Sequence, residues 1–233
     1  MIPMAEQYGY ISENLKRIRS DIAEAEAKYR GGADCVRLMA VTKTVPAEAV
    51  NHAVMQGVTL LGENRVQEYL EKKDAYLPQA EVHFIGHLQT NKVKYIIGNV
   101  SLIHSVDSVK LGAEINRLAA AKGIVCDVLA EVNIGGEESK SGISPQELPA
   151  LLEQLSEMKN ISLRGLMTIP PPGSSEKSFE AMEILFRDTS AKYPAADILS
   201  MGMSADYKLA VKYGSTIVRI GTGLFGARDY SKK

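Results

Sequence analysis

Eight short apolar runs alternate with segments of helical periodicity, and this alternation constrains the fold more than any other feature of the chain. Apolar runs of this length are typical of parallel strands that are buried on both faces. Strict alternation of such strands with helices predicts a parallel sheet covered by helices. The runs are "RLMAVT", "TLLGEN", "VHFIG", "LIHSV", "DVLAEVNI", "LRGLMTI", "DILSMG" and "TIVRIG".

A (β/α)8 TIM barrel explains eight strands better than an open doubly wound sheet, which usually stops at about five or six. The 233 residues suit one domain of this kind. An amphipathic segment, residues 13–30, precedes the first strand and ends at Gly31 and Gly32, which indicates a helix with a glycine stop. We therefore predict an α/β fold, a single (β/α)8 barrel domain over residues 1–233 with a leading N-terminal helix.

Charge and cysteine content exclude several classes of partner. Lys and Arg number 27 against 28 Asp and Glu, so a net charge of -1 provides no bulk attraction to nucleic acid or to an anionic membrane. The sequence shows neither a signal peptide pattern nor a membrane-spanning apolar stretch. The two cysteines, Cys35 and Cys126, form no framework and fit a reducing cytosol. We expect a cytoplasmic protein without nucleic-acid or membrane partners. The helical segments show no heptad seam from which an oligomeric state could be read, and we expect a monomer.

Ligands of such barrels bind where the strands end, and the first strand ends in Lys43. A lone lysine at this position is more often a salt-bridge or snorkelling side chain. A partly desolvated amine, however, has a lowered pKa and attacks aldehydes. The second strand ends in Asn64, close to Lys43 in a barrel.

The loops after strands seven and eight often bind phosphate in these barrels. "MGMSADYKLAV" places Ser204 where it either caps the next helix or offers its hydroxyl to a phosphate. "IGTGLFG", with Gly221 and Thr222, supplies glycines that let backbone amides approach an anion. Arg219 lies within an apolar run and needs either an ion-pair partner or a ligand heteroatom.

Pyridoxal 5'-phosphate is the cofactor that would use these features together, since it carries an aldehyde, a phosphate and a ring nitrogen. Lys43 would form the Schiff base and Arg219 would contact the ring nitrogen. Ser204, Gly221 and Thr222 would surround the phosphate. This remains a hypothesis at the level of residue types.

Two other classes of enzyme share part of the pattern. A Schiff-base aldolase acting on a phosphorylated substrate also needs a lysine and a phosphate site, but the lysine on strand one and Arg219 beside the phosphate loop argue against it. A metal hydrolase would use His83, His87, His104 and Asp107, which lack a ligand spacing such as HExxH. We therefore predict no metal site.

Several motifs taken together closely resemble the pyridoxal phosphate homeostasis proteins, whose barrel is similar to the N-terminal domain of bacterial alanine racemase. The resemblance covers about residues 10–228. It implies fold type III of the pyridoxal phosphate proteins, a Schiff base on Lys43, and cofactor binding or delivery to apoenzymes without established turnover. The motifs are "AVTKTVP", "LLGENRVQE", "HFIGHLQTNK", "EVNIGGEESKSGI", "LRGLMTI" and "LSMGMSADYKLAVKYGSTIVRIGTGLFGAR".

By matching positions, the resemblance implies that Asn64 lies beside the cofactor ring and that Met201 lines the pocket. It places Arg219 at the ring nitrogen. Ser204, Gly221 and Thr222 fall on the phosphate motif of the family. The roles of Lys140 in "SKSG" and of His83 stay open, because a solvated loop lysine and a core or rim histidine are the simpler interpretations.

A racemase needs two acid/base groups, one on each face of its substrate. Lys43 supplies one, and in alanine racemase the other is a tyrosine from a C-terminal domain of a partner subunit, for which this sequence has no corresponding region. An arginine at the ring nitrogen also weakens the electron sink of the cofactor. We therefore expect a binding protein without catalytic residues, with an amino acid racemase-like enzyme as the alternative.

Overall fold

The computed structural model describes residues 7–32, 35–137 and 140–227. Residues 1–6 and 228–233 of the predicted domain lie outside this description. Eight parallel strands close into a barrel in the order β1 to β8, each hydrogen-bonded to the next and β8 to β1. The predicted TIM barrel with a leading helix is therefore confirmed.

The strands lie within two residues of the predicted runs at each end. Within the described residues they are β1 (Arg37–Val41), β2 (Leu60–Glu63), β3 (Glu81–Phe84), β4 (Leu102–Val106), β5 (Cys126–Val132), β6 (Ile161–Thr168), β7 (Ile198–Met203) and β8 (Ile217–Ile220).

The helices of the described residues follow the strands as the alternation predicts. They are α1 (Gly9–Tyr29), α2 (Ala47–Met55), α3 (Val66–Lys72), α4 (Val93–Ile96), α5 (Val109–Ala121), α6 (Leu148–Ser156), α7 (Ser175–Lys192), α8 (Tyr207–Lys212) and α9 (Thr222–Phe225). The sequence pattern did not predict α9, because a single helical turn is too short to show a periodicity. No helix in the described parts of the chain is long and apolar enough to cross a membrane.

The leading helix α1 covers the seam where β8 meets β1. Its buried residues Ile11, Leu15, Ile18 and Ile22 recur every three or four positions and therefore share one face. That face joins a hydrophobic cluster with residues of α2 and β8 and packs against α8 and α9. The helix starts before the predicted residue 13 because Ile11 continues the buried stripe.

Alternate residues of each strand point into the barrel and out toward the helices. In β8, Ile217 belongs to the interior cluster, whereas Val218 and Ile220 pack against the helices on the outside. Arg219 follows the inward alternation and is 3% exposed. The alternation explains why an arginine occurs within an apolar run: Val218 and Ile220 face the helical layer, whereas Arg219 between them points into the barrel.

Gly165 adjusts the sheet between β5, β6 and β7. Its φ of +135° is unfavourable for other residues, and a Cβ there would lie 1.9 Å from the carbonyl oxygen of Ile198. The pairing of β5 with β6 shifts register between Val128 and Leu129, opposite Gly165. A glycine at this point lets three strands approach closely where the register changes.

Candidate functional site

Six of the seven predicted site residues line one cleft at the carboxyl ends of the strands. The cleft has a volume of about 280 Å³. Larger clefts, of about 560, 590 and 320 Å³, lie against the amino ends of β1 and β2 and between α1 and α8, and none of these contains Lys43 or Arg219. The residues lining the smaller cleft are Val41, Lys43, Asn64, Ile85, Ile169, Met203, Ser204, Ala205, Arg219, Gly221 and Thr222.

Lys43 lies on a tight turn that immediately follows β1. The N–H of Val45 donates to the carbonyl of Thr42 at 3.0 Å, which closes a four-residue turn with Lys43 in second position. Thr44, in third position, has a φ of +62°. Positive φ at this position is what a type II turn requires, and for a β-branched residue it costs about 1–3 kcal/mol. The carboxylate of Glu68 accepts the N–H of Thr44 and helps to hold this conformation.

A second lysine, Lys72 at the end of α3, donates hydrogen bonds to the backbone of this turn. Its Nζ donates to the carbonyls of Thr42 at 2.8 Å and Val45 at 3.3 Å. It also donates to Glu68 at 2.8 Å and lies 3.4 Å from Oε1 of the fully buried Glu63. One ammonium group therefore fixes both ends of the turn that carries Lys43.

Glu63 connects this turn to the neighbouring elements. Its Oε1 accepts the hydroxyl of Thr42 at 2.8 Å and the hydroxyl of Tyr76. Burial raises the pKa of Tyr76 above its usual range, and the charge of Glu63 acts in the same direction. The Tyr76 hydroxyl thus stays a proton donor to the carboxylate at any physiological pH.

Arg219 lies at the base of the cleft with its guanidinium held from two sides. Nη1 donates to the hydroxyl oxygen of Ser200 and Nη2 to the carbonyl of Thr168, both at 2.7 Å. Burial lowers the pKa of Arg219 to about 10, and the carboxylates of Glu131 and Asp206 oppose this. The guanidinium is therefore still positively charged at neutral pH.

Glu131 in β5 is an acidic group in an apolar environment. It is 6% exposed, and within the described parts of the chain its Oε2 is buried without a hydrogen-bond partner. Burial raises the pKa of Glu131 to about 7; Asp107 acts in the same direction and Arg219 against it. Its charge near Arg219 therefore changes close to neutral pH.

Ser204 connects the two loops that were expected to bind phosphate. Its Oγ accepts the N–H of Gly223 at 3.1 Å, and a Cβ on Gly223 would lie 3.2 Å from that oxygen. The alternative that Ser204 caps α8 is wrong, because Asp206 occupies the N-cap position. The Oδ1 of Asp206 accepts the N–H of Met203 at 2.7 Å and fixes the preceding loop.

The structure does not bring Met201 to the cleft, whereas Met203 lines it. Met201 is fully buried in the hydrophobic cluster between the strands and the outer helices. The register of β7 against β8 shifts between Ser200 and Met203, and Gly202 has a φ of +90°. This irregularity breaks the inward alternation, so Met203 lines the cleft instead of Met201, which the family resemblance implied.

The histidines lie apart from the cleft lining. His83 and His104 point into the barrel and contact each other at 2.9 Å. His87 is exposed and lies 3.8 Å from Asp107. Lys140, whose role the motif left open, contacts Glu137 and the carbonyl of Pro170. In the residues that the structure describes, no group of three or more histidine, cysteine or acidic side chains is arranged to hold a metal.

Comparison with known proteins identifies the family. Residues 14–229 match the model of the alanine racemase N-terminal domain. The chain is 45% identical over 224 residues to the pyridoxal phosphate homeostasis protein of Aquifex aeolicus, covering 94% of this chain and 98% of that protein. The chain belongs to the pyridoxal phosphate homeostasis protein family.

Two solved structures show the same fold. PipY of Synechococcus elongatus, solved with PLP bound, is 35% identical with a TM-score of 0.77, over 88% of this chain and all of that one. Alanine racemase of Clostridium difficile is 19% identical with a TM-score of 0.72, over 92% of this chain and 57% of that one. The second likeness supports the barrel alone.

Within this family fold, the cleft combines a half-buried amine, a buried guanidinium and a rim of small residues. Sequence reasoning found the amine and the small residues because they follow strands, and it found the guanidinium because Arg219 is a charged residue within an apolar run. It missed the supporting role of Lys72, whose helix position carries no motif. It also missed Glu131 as a buried acid, although its inward position on β5 follows from the alternation of that strand. The contacts of the predicted residues with a cofactor stay predictions.

We expect Lys72→Met to lower the free energy of unfolding of this family member by about 3 kcal/mol, because it leaves the buried Glu63 carboxylate without its cation. Chemical denaturation measures this loss. The neighbouring Lys73→Met is the control, since Lys73 pairs with the exposed Asp74, and we expect it to cost less than about 1 kcal/mol. Equal losses for the two variants would contradict the supporting role of Lys72.

Glu131 predicts a pH dependence of stability. Because its pKa is raised from 4.5 to about 7, the protonated acid favours the folded state below pH 4.5, and this contribution is lost as the pH rises through 7. Glu131→Gln mimics the neutral acid. Between pH 5 and pH 8 the free energy of unfolding of the wild type should therefore fall by about 2 kcal/mol relative to that of the variant. Glu153→Gln, at an exposed position, serves as the control. If the free energies of unfolding of the wild type and of Glu131→Gln change with pH in the same way, the raised pKa of Glu131 is wrong.

Proposed function

We propose that this chain binds pyridoxal 5'-phosphate through a Schiff base on Lys43 and buffers or delivers the cofactor without robust catalytic turnover. The observation that carries the proposal is the convergence of Lys43, Arg219 and the loop residues Ser204, Gly221 and Thr222 on one cleft. An amine for the aldehyde, a cation for the ring nitrogen and small residues for the phosphate match the three groups of this cofactor.

The cleft suits a small ligand in both size and chemistry. Its volume of about 280 Å³ lies just below the roughly 300–1,000 Å³ of drug-sized sites. When bound, the cofactor supplies an aldehyde as the electrophile. The Nζ of Lys43 replaces the aldehyde oxygen, which leaves as water, and the tight turn at Thr44 fixes where that amine projects.

Ser204 and Gly223 show the close packing that a phosphate loop needs. The Oγ of Ser204 already binds one backbone N–H of this loop, and a side chain on Gly223 would crowd it. Gly221 and Thr222 line the cleft next to this contact. The relatives named pyridoxal phosphate homeostasis proteins and the PLP-bound structure of PipY support the same assignment.

Two properties of the cleft support binding without turnover. Within the described residues, its lining includes no tyrosine, histidine, cysteine or carboxylate to act as a second acid/base opposite Lys43. Arg219 is positively charged and therefore disfavours a proton on the ring nitrogen, which weakens the electron sink of the cofactor. Both features count against an amino acid racemase, and the first also counts against a Schiff-base aldolase acting on a phosphorylated substrate.

The recipients that we propose are apoenzymes that require pyridoxal 5'-phosphate, and the chain would act on them as a cytoplasmic monomer. Both cysteines are free, as a reducing compartment allows. The imine bond to Lys43 is reversible by water or by another amine, which is the chemistry that delivery requires.

Reduction with borohydride tests the Schiff base, because it converts the imine to a stable secondary amine. We expect intact mass and peptide mapping to place one pyridoxyl phosphate group on Lys43 of the loaded protein. Lys43→Ala should lose the adduct, while Lys72 in the same protein serves as an internal control lysine. An adduct on Lys72, or none on either lysine, would refute the assignment.

Incubation of the loaded protein with each enantiomer of alanine, and separately with sugar phosphates, tests the absence of turnover. We expect no sustained racemisation and no aldol cleavage, whereas transfer to an apoenzyme should restore the activity of that apoenzyme. Alanine racemase is the positive control for the first assay. Racemisation over many cycles would replace the carrier proposal with the racemase.

A further inference from the structure

A chain of side-chain hydrogen bonds crosses the barrel interior from Arg219 to the opposite end. Arg219 donates to Ser200 at 2.7 Å, and Ser200 Oγ lies 3.1 Å from Nδ1 of His104. Nε2 of His104 lies 2.9 Å from Nδ1 of His83, and Nε2 of His83 lies 2.8 Å from Oε1 of Glu81. We call these five residues the buried relay.

The two ends of the buried relay impose the same direction on every hydrogen bond. Glu81 is ionised and can only accept, so His83 donates from Nε2 and accepts at Nδ1 when its ring is neutral. His104 then donates from Nε2 and accepts at Nδ1 from the hydroxyl of Ser200. That hydroxyl oxygen is left to accept from Arg219, which can only donate. Any reversal would leave a buried polar group unsatisfied.

The charges along the buried relay agree with this arrangement. Burial lowers the pKa of His83, and it lowers the pKa of His104 well below its usual value, with His83 and Arg219 acting in the same direction. The hydrogen bond from His83 lowers the pKa of Glu81 to about 2, and Arg37 adds to this effect. Both imidazoles are therefore neutral at physiological pH, and the one formal negative charge of the relay lies at its far end.

The partners that hold Arg219 are neutral. Within the described residues its hydrogen bonds go to the hydroxyl of Ser200 and the carbonyl of Thr168, while Glu131 and Asp206 act on it only through their charges. The guanidinium is thus held in place without being neutralised by a direct ion pair. Its charge stays directed at the cleft.

We propose that Ser200, His104 and His83 are positioning residues, which hold the guanidinium of Arg219 toward the ring nitrogen of a pyridine ligand through neutral hydrogen bonds anchored on Glu81. This inference rests on the proposed function and adds to it how the arginine is placed. A hydrogen-bond chain of fixed direction strengthens its individual bonds. Removing a distant member should therefore change the environment of Arg219.

Substitutions along the relay test this, with the full-length protein titrated with pyridoxal 5'-phosphate. We expect Ser200→Ala and His104→Leu to weaken cofactor affinity about tenfold, and to shift the absorption spectrum of the bound cofactor. His104→Gln, which retains a donor and an acceptor, should recover most of the affinity. His52→Leu is the matched control, because His52 is a buried histidine hydrogen-bonded to Ser12 outside the relay.

The control separates positioning from stability. His52→Leu should lower the melting temperature but leave the affinity and the spectrum unchanged. If His104→Leu behaves in the same way, the relay is merely structural and the proposal is wrong.

A second readout does not depend on the proposed function. The nitrogen resonances of the Arg219 guanidinium in the cofactor-free protein should shift in His104→Leu and stay in place in His52→Leu. If the wild type fails to bind the cofactor, the proposed function fails, and these resonances still decide whether the relay positions Arg219. Unchanged resonances would overturn the inference even if the cofactor binds.

Discussion

The desolvation of one arginine inside a closed barrel organises the interior of this protein. A guanidinium that loses its hydration must donate its hydrogen bonds to acceptors of the protein, and for Arg219 these acceptors lie on β6 and β7. The strands can supply them because the side chain of Arg219 points into the barrel, where it reaches β7, the neighbour of β8, and β6, the next strand. Beyond Ser200 the hydrogen bonds continue through His104 and His83 to Glu81, and this chain gives both buried histidines their partners.

The second constraint acts on Lys43. Its turn contains a threonine in a strained conformation, and the strain is offset by Lys72 and Glu68, which bind the backbone on either side. The site thus combines Lys43, whose turn is held by charged groups of a neighbouring helix, with Arg219, which is held by neutral groups of the barrel interior. Rigid placement of both suits a protein that has to bind a cofactor in one orientation.

The two arrangements have different consequences for chemistry. The cluster around Lys72 supports the backbone beneath Lys43, a residue that lines the cleft. The buried relay leaves the charge of Arg219 directed at the cleft, where it disfavours protonation of a pyridine nitrogen. In this member of the pyridoxal phosphate homeostasis protein family, both arrangements meet at one cleft.

The sequence by itself determined the barrel, because eight apolar runs alternating with helices allow few other folds. It also determined six of the cleft residues, since five of them follow a strand, Arg219 is a charge within the last strand, and parallel strands end at one edge. Only the tertiary structure decided that Met203 replaces Met201, because a register shift beside Gly202 breaks the alternation. Likewise, the contacts of Lys72 with the turn of Lys43, and of His83 and His104 with each other, join residues about 20 to 30 positions apart. A local sequence pattern cannot predict contacts between residues so far apart in the chain, because these residues come together only when the barrel closes and the helices pack against it.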